Sequence, residues 1–272
     1  MKAIGFIGCG NMATAIVKGF VSTNTYKSEE IGAYHISEKY RDDYKSMNIE
    51  EFHSIESLVD NCSIIVLCVK PHILLQMIES PLSSEESFSS NKLFISIAAG
   101  VTLDTLYDSI SPKGAGIIRL NPNTPCLVKE GIFGLSAHKS TLQSHVDHVI
   151  QLFSSLGKVF TVSESSLDAF TTLTGCGPAF AFMFIDALAD AGVFTGLPRE
   201  MAIQLASQML KGSAEMVLQT KQHPDVLRDQ VCSPGGSTIE GVYALEKGGF
   251  RATTMDAVLA SFNKNKKLGK KN

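Results

Sequence analysis

Two glycine-rich stretches of this chain have the residue types and spacing of anion-binding loops, and the first lies near the N-terminus. It reads GFIGCGNMATAI and places Gly8, Gly10 and Ala13 in a G-x-G-x-x-A arrangement, directly after a predicted strand and directly before a predicted helix. Gly8 permits a tight turn, Gly10 lets the backbone approach a pyrophosphate, and Ala13 allows the helix to pack closely on the sheet. Because helix N–H groups bind phosphate, this stretch predicts a dinucleotide-binding site.

The second stretch, SPGGST at 233–238, lies near the C-terminus and also has the composition of an anion cradle. Its proline and glycines can turn sharply and leave backbone N–H groups uncovered before a predicted helix, whose dipole favours an anion. A simpler interpretation makes Ser237 or Thr238 an ordinary N-cap of that helix, with Gly248 at its other end. Both interpretations can hold at once.

The choice of dinucleotide depends on the end of the second predicted strand, which reads HISEKYR. Lys39 and Arg41 could neutralise a 2′-phosphate, whereas Glu38 could accept the 2′-hydroxyl of a cofactor that lacks this phosphate. These residues and Ser37 could also form a simple solvated helix start. We expect NADPH, with NADH possible.

Both loops depend on elements that hydrophobic patterning predicts. Several runs in the first half are apolar at consecutive positions, as in strands covered on both faces, and the segments between the early runs have helical length. The alternation predicts an α/β fold with a Rossmann-type, doubly wound parallel sheet in a dinucleotide-binding domain at 1–162. The predicted strands are 2–8, 31–37, 62–69, 92–99, 115–120, 132–137 and 158–162.

From residue 163 onward helix formers replace the strand-like runs, which predicts an all-helical domain at 163–272 for dimerisation and substrate binding. The segment 177–196 is apolar on nearly every face in its first half. A helix of this kind must be buried on all sides, so in a small domain we expect it at a subunit interface. The next helix is predicted to have Pro198 at its first position, and a last helix to begin at about Thr238.

The composition of the 272 residues excludes some function classes. A formal charge of −3 argues against a nucleic-acid partner, and the basic tail at 263–272 is expected to be a frayed, solvated end. No apolar run approaches the length of about 18 residues that a membrane span needs. Six cysteines without a C-x-x-C pair fit a reducing compartment, so we expect a soluble cytoplasmic protein without a membrane partner.

Other catalytic patterns are missing from the sequence. It has no G-x-x-x-x-G-K-[ST] loop and no G-x-S-x-G elbow. His145 and His148 lie beside Asp147 on a predicted helix, but no third ligand is near, so we expect a solvated face and no metal. The histidines also offer no obvious base for an alcohol dehydrogenase, so the reaction is expected to need none.

Taken together, the motifs resemble the pyrroline-5-carboxylate reductase family over essentially the whole chain. The C-terminal stretch is highly specific for that family, whereas the N-terminal glycine loop is shared with many dehydrogenases. The stretches that carry the resemblance are GFIGCGNM (5–12), VKPH (69–72), SIAAGV (96–101), NPNTP (121–125), TGCGPAF (174–180) and VCSPGGSTIEGVYALEKGGFR (231–251).

The resemblance implies NAD(P)H-dependent reduction of the C=N bond of 1-pyrroline-5-carboxylate to L-proline, the last step of proline biosynthesis. It implies a homodimer with intertwined helical domains, or a larger homo-oligomer such as a decamer. Asn123 would lie near the nicotinamide. The HISEKYR stretch contributes Ser37 and Lys39 as predicted cofactor residues. The family resemblance implies the others, which are Ile7, Gly8, Cys9, Gly10, Asn11, Met12, Val69, Lys70, Pro71, Ala98, Ala99 and Asn123. The substrate residues implied are Ser233, Pro234, Gly235, Gly236, Ser237 and Thr238.

The implied reaction fits the absence of a strong acid or base. A protonated imine accepts hydride more readily than a ketone, so holding two reactants in an attack geometry is worth up to about 7–11 kcal/mol. In this mechanism Thr238 is the catalytic residue, because its hydroxyl would hydrogen-bond the ring nitrogen. Three positions depart from the family pattern: Asn121 replaces an apolar residue such as Met, Ile55 falls near a cofactor-contacting Asn, and Lys221 replaces a Glu found in some relatives.

Two other functions remain open at this point. A β-hydroxyacid dehydrogenase shares the glycine loop and the helical domain, but it would need a catalytic lysine on a long helix, and residues 178–194 contain none. A non-catalytic nucleotide sensor would use SPGGST only as a helix cap.

Overall fold

The sheet of this protein has eight strands, in the order β3-β2-β1-β4-β5-β6-β7-β8. The structure is a computed structural model and describes residues 2–78, 92–110 and 114–268. The strands are β1 (Lys2–Cys9), β2 (Ile31–Ile36), β3 (Glu50–Glu51), β4 (Cys62–Leu67), β5 (Leu93–Ser96), β6 (Gly116–Asn121), β7 (Gly131–Ala137) and β8 (Gly157–Thr161). The order reverses between β1 and β4, which is the switch point of a doubly wound sheet and confirms the predicted Rossmann-type fold.

Two features of the sheet differ from the prediction. The two-residue strand β3 was not predicted, because an acidic pair carries no strand signal. β6 and β7 are antiparallel, whereas the other neighbouring strands are parallel. Only residues 122–130 connect β6 to β7, and a parallel crossover needs a dozen or more residues, so the chain returns in the opposite direction.

The helices of the first half cover both faces of the sheet. They are α1 (Asn11–Ser22), α2 (Arg41–Ser46), α3 (Ile55–Asn61), α4 (Pro71–Ile78), α5 (Leu103–Ile110), α6 (Gln143–Ser154) and α7 (Leu167–Thr171). One face buries Phe6 against Phe20 and Phe153. The other buries Ile7 against Leu58 and Leu106. Successive strand residues therefore enter opposite cores, which explains the consecutive apolar positions.

The chain divides into two compact units, Met1–Gly175 with Phe262–Asn272, and Cys176–Ser261. The second half is helical as predicted, with α8 (Gly177–Phe194), α9 (Arg199–Thr220), α10 (Pro224–Val231), α11 (Ser237–Lys247) and α12 (Phe250–Leu268). The predicted boundary between a dinucleotide-binding domain and a dimerisation and substrate domain, at 162/163, stays a prediction.

Three details of the helical half correct the prediction. Pro198 is the N-cap of α9, with an extended ψ of 140°, and not its first helical residue. The predicted last helix ends before Gly249, whose φ of +72° breaks it, and α12 follows. The tail expected to fray is helical as far as Leu268, and residues 269–272 lie outside the described part of the chain.

Helix α8 presents apolar side chains to the outside of the single chain. Phe182 and Met183 are 63% and 73% exposed, so the predicted burial of this helix requires another surface.

The helical stretch Glu164–Phe194 is long and apolar enough to cross a membrane by length and composition alone. The prediction that no such stretch exists was therefore wrong. A single helix of this kind is weak evidence for a membrane, because helices of soluble proteins pass the same test.

A ladder of side-chain hydrogen bonds joins β6 to the segment 164–174. Arg119 Nη1 donates to Glu164 Oε1 at 2.6 Å, Asn121 Nδ2 donates to Thr171 Oγ1, and Asn123 Nδ2 donates to the Thr174 carbonyl at 3.0 Å. Positions 119 and 121 alternate along the strand and therefore share one face of the sheet. The ladder fixes this segment against the carboxyl end of β6.

The ion pair in this ladder generates a stability prediction. The Arg119 side chain is 6% exposed and the Glu164 side chain 30%, so Glu164→Gln leaves a buried guanidinium without its counter-charge. We expect a loss of about 2 kcal/mol in the free energy of unfolding, less than for a fully buried pair. Urea denaturation measures it, with Glu200→Gln on the exposed face of α9 as the control. Equal stability of both variants would contradict the prediction.

Candidate active site

The turn between β1 and α1 is shaped to receive a phosphate. Gly8 has φ +87°, and a Cβ there would meet Val69 Cγ1 at 2.5 Å, so only glycine fits. Gly10 is the N-cap of α1 and has no side-chain cap, and a Cβ on it would meet nothing within 4 Å. The open space at Gly10 and the uncapped helix N-terminus fit a pyrophosphate group.

This turn opens into a cleft of about 450 Å³ at the carboxyl ends of β1, β2 and β4. The predicted cofactor residues that line it are Ile7, Gly8, Cys9, Gly10, Ser37, Val69 and Lys70. Residues that sequence reasoning did not name as cofactor contacts are Tyr34, His35, Ile55, Cys68, His72, Ile73 and Met77. His35 has φ +59°, a conformation rare for residues other than glycine, which reshapes the end of β2 beside the cleft.

A second cleft of about 440 Å³ lies at the carboxyl ends of β5 and β6. His72 lines both clefts, which makes them neighbours. The two predicted residues in the second cleft are Pro71 and Ala99, and the others that line it are His72, Gly100, Asn121, Asp168, Thr171 and Asn265. A dinucleotide that crosses the switch point of a doubly wound sheet places its two halves over opposite sides of that point, so the two clefts fit the two halves of one ligand.

The remaining predicted cofactor residues line neither cleft. Tyr40 OH donates to Asn11 Oδ1 at 2.5 Å, which joins α1 to the turn after β2. Met12 packs against the core, and Ala98 is buried. Asn123 is also buried, and both ends of its amide are used, because its Oδ1 accepts from the Ile132 N–H at 2.8 Å. Its contact with the nicotinamide stays a prediction.

The charges near the end of β2 distinguish Lys39 from Arg41. Arg41 Nη1 lies 3.6 Å from Glu51 Oε2 and is therefore already paired. Lys39 Nζ lies over the Tyr40 ring at 5.0 Å, and none of the described acidic residues forms an ion pair with it. Of these two cations near the end of β2, Lys39 is thus the one without a described acidic partner.

Buried thiols and a phenol lie beneath the glycine turn. Burial raises the pKa of the Cys9 thiol to about 11. Burial also raises the pKa of Cys68 and of Tyr44 well above their ordinary values. These groups stay neutral at pH 7, so the cleft has no thiolate nucleophile among them.

The predicted substrate loop has the geometry of a second anion cradle. Gly235 has φ +68°, and the Gly236 N–H donates to the Ser233 carbonyl at 3.0 Å. A Cβ on Gly236 would collide with Ser233 Oγ. Gly236, and neither Ser237 nor Thr238, is the N-cap of α11, and it has no side-chain cap. The simpler cap interpretation is therefore wrong, because both hydroxyl residues lie inside the first turn.

An ion-pair network joins the helices on either side of this loop. Asp225 Oδ1 on α10 accepts from Arg228 and from Arg251 at 2.9 Å each, and Arg251 on α12 also donates to Glu246 Oε1 on α11 at 2.7 Å. The hydrogen bond from Arg251 is the largest cause that lowers the pKa of Asp225. The network restrains α10, α11 and α12, and hence the two ends of the loop.

No group of three His, Cys, Asp or Glu side chains within the described ranges could hold a metal ion. His145 is half-buried, and its ring lies where a Cβ on Gly116 would be. The expected solvated face therefore holds for His148, which is exposed, but not for His145.

The comparisons with known proteins cover nearly the whole chain. Residues 164–268 match the family model for pyrroline-5-carboxylate reductase dimerisation, and residues 3–100 match the model for NADP oxidoreductase, coenzyme F420-dependent. Pyrroline-5-carboxylate reductase from Arabidopsis thaliana is 40% identical, with 97% of this chain and 95% of that protein covered. The Escherichia coli (strain K12) protein of the same name is 38% identical, with 99% of each chain covered.

A solved structure has the same fold over the same length. It is the Plasmodium falciparum pyrroline carboxylate reductase with NADP bound, which is 37% identical and superposes with a TM-score of 0.86 over 99% of this chain and 98% of that chain.

The position of Lys39 predicts how cofactor preference changes. Lys39→Ala removes the cation available to a 2′-phosphate, so the KM for NADPH is expected to rise about tenfold, while the KM for NADH changes little. Steady-state kinetics with both cofactors measure the ratio of the KM for NADPH to the KM for NADH. Arg41→Ala is the matched control, because Arg41 is paired with Glu51. A Lys39→Ala enzyme with an unchanged ratio of the two KM values would refute this role.

Proposed function

The chain belongs to the pyrroline-5-carboxylate reductase family, and from this premise we propose that it transfers hydride from NADPH to the C=N bond of 1-pyrroline-5-carboxylate, giving L-proline in the last step of proline biosynthesis. It is an NAD(P)H-dependent oxidoreductase with a Rossmann-type domain. The observation that carries the proposal is that two helices of this chain, α1 and α11, have a glycine as N-cap, at Gly10 and Gly236. The relatives match the same chain almost from end to end.

The cofactor and its preference follow from the first cradle. NADPH, when bound, supplies the hydride. The N–H groups of the first turn of α1 would hold its pyrophosphate, and Gly8 and Gly10 leave the necessary space. Lys39 would neutralise the 2′-phosphate, which supports NADPH over NADH. The NADP bound to the Plasmodium relative supports the same preference.

The substrate would be held through its carboxylate at the second cradle. Ser233, Pro234, Gly235 and Gly236 form the turn, and the N–H groups of the first turn of α11 point at the space beyond it. Thr238 is exposed in this turn. Its hydroxyl would meet the ring nitrogen, orient the ring and guide the proton of the imine.

The assembly of the protein fits the same family. The dimerisation model matches residues 164–268, so the protein forms a homo-oligomer. We propose that the exposed apolar residues of α8, including Phe182 and Met183, pack against the same helix of a second subunit. A homodimer and a larger assembly such as a decamer both satisfy this contact.

The cellular setting is proposed on the same grounds. Bacterial and plant relatives support a soluble protein, and we place it in the cytoplasm. All six cysteines are free, as expected in a reducing compartment. The net charge of −3 supports a small-molecule partner and no nucleic acid.

The alternatives have less support. A β-hydroxyacid dehydrogenase would need a lysine on α8, which has none. A nucleotide sensor that uses SPGGST as a cap conflicts with the unused hydroxyls of Ser237 and Thr238 at the start of α11.

The proposed reaction is tested first with the unaltered protein and then with Thr238→Val. The unaltered protein should consume NADPH when pyrroline-5-carboxylate is added and should form proline. The variant keeps the shape of the side chain and loses its hydroxyl, so kcat is expected to fall at least about tenfold with little change in the KM for NADPH.

The control for this substitution is Thr195→Val at the end of α8, which removes an exposed hydroxyl elsewhere in the helical half. An unaltered protein without turnover on either cofactor rejects the reductase. A Thr238→Val enzyme with full kcat removes Thr238 from the mechanism but leaves the reaction in place.

A further inference from the structure

Asn121 is a polar side chain at a position that the mechanism above does not use. It ends β6, is 8% exposed, and lines the second cleft with Ala99 and Gly100. A buried amide that faces a ligand cleft is expected to be hydrogen-bonded when the ligand is present.

One half of this amide is already engaged, and the other half faces the cleft. Asn121 Nδ2 donates to Thr171 Oγ1. Within the described ranges no side chain or backbone N–H donates to Asn121 Oδ1. The bond to Thr171 fixes the orientation of the amide, so its oxygen is presented as an acceptor in a fixed place.

The other polar groups that line the cleft are both acceptors and donors. Asp168 contributes a carboxylate, and His72 and Thr171 contribute groups that can donate or accept. Asn265 Nδ2 donates to Thr172 Oγ1 at 3.1 Å, which leaves its carbonyl oxygen for a ligand. The oxygens of Asn121, Asp168 and Asn265 therefore favour a ligand group that carries an uncharged N–H donor.

The position of the cleft indicates which N–H donor it receives. His72 lines both this cleft and the cleft of the glycine turn. A dinucleotide whose pyrophosphate lies at Gly10 therefore extends its second half over β5 and β6. In NADPH that half ends in a nicotinamide ring, whose carboxamide has an uncharged NH₂ group.

We propose that Asn121 Oδ1 accepts a hydrogen bond from the carboxamide NH₂ of the nicotinamide ring. When NAD(P)H is bound, this contact would hold the carboxamide in one orientation. This inference rests on the proposed binding of NAD(P)H and adds Asn121 to the residues that contact the cofactor.

The test compares two oxidised cofactors by isothermal titration calorimetry, without turnover. NADP⁺ carries the carboxamide, and its 3-acetylpyridine analogue has the same carbonyl with a methyl group in place of NH₂. Losing one neutral hydrogen bond costs about three- to tenfold in affinity, so the unaltered protein should bind NADP⁺ more tightly by that factor. In Asn121→Met the ratio of the two Kd values should fall to about one, because only NADP⁺ binding weakens.

A second variant, Thr171→Val, removes the partner that holds Asn121 Nδ2 but keeps Oδ1, so the amide is free to rotate and the preference for NADP⁺ should fall only partly. Thermal unfolding checks that each variant folds, and Asn121→Ala replaces Asn121→Met in the comparison if the latter does not. An unchanged ratio in the variant overturns the inference and leaves NAD(P)H binding intact. An unaltered protein that binds neither NADP⁺ nor NADH rejects the proposed function itself.

Discussion

The chemistry proposed for this protein depends on helix N-termini that no side chain caps. The first N–H groups of a helix have no partner within the helix, and most proteins satisfy them with a Ser, Thr, Asp or Asn cap. Here Gly10 is the N-cap of α1 and Gly236 is the N-cap of α11, so each of these helix ends lacks a side-chain cap, as do those of α6, α8 and α9, and is flanked by a residue without a side chain. Because the same backbone groups attract anions, one helix is suited to a pyrophosphate and the other to a carboxylate.

The rest of the fold holds these ends in place. The apolar core that contains Phe6, Phe20 and Phe153 fixes α1 on the sheet, and the position of Gly8 against Val69 leaves no room for another residue. In the helical half, the ion pairs of Asp225 with Arg228 and Arg251 restrain the elements on either side of Gly236. In the proposed mechanism, an ordinary hydrophobic core and a small exposed network therefore have the same effect, which is to hold the backbone N–H groups of the two helix ends in place.

The sequence predicted seven of the eight strands, the glycine turn and the sharp turn at 233–236, because each is local and has a period or a spacing of its own. It did not predict that β7 runs antiparallel, which depends on the short connection after β6. Nor did it name Asp168, Thr171 and Asn265 as cleft residues. They lie far from the glycine turn in sequence and reach the cleft only through tertiary contacts, so no local pattern marks them. His72 could have been predicted as a cleft residue, because it directly follows the predicted cofactor residues Val69, Lys70 and Pro71.

The measurement that tests the two-cradle account most directly is inhibition by ring compounds that differ only in charge. Cyclopentanecarboxylate retains the anionic group of the substrate, and cyclopentanecarboxamide replaces it with a neutral one. If the N-terminus of α11 holds a carboxylate, the acid competes with pyrroline-5-carboxylate and the amide does not, and Gly236→Ala weakens the acid selectively because its Cβ displaces Ser233. Equal inhibition by both compounds, or an acid whose inhibition constant is unchanged in Gly236→Ala, would contradict the account.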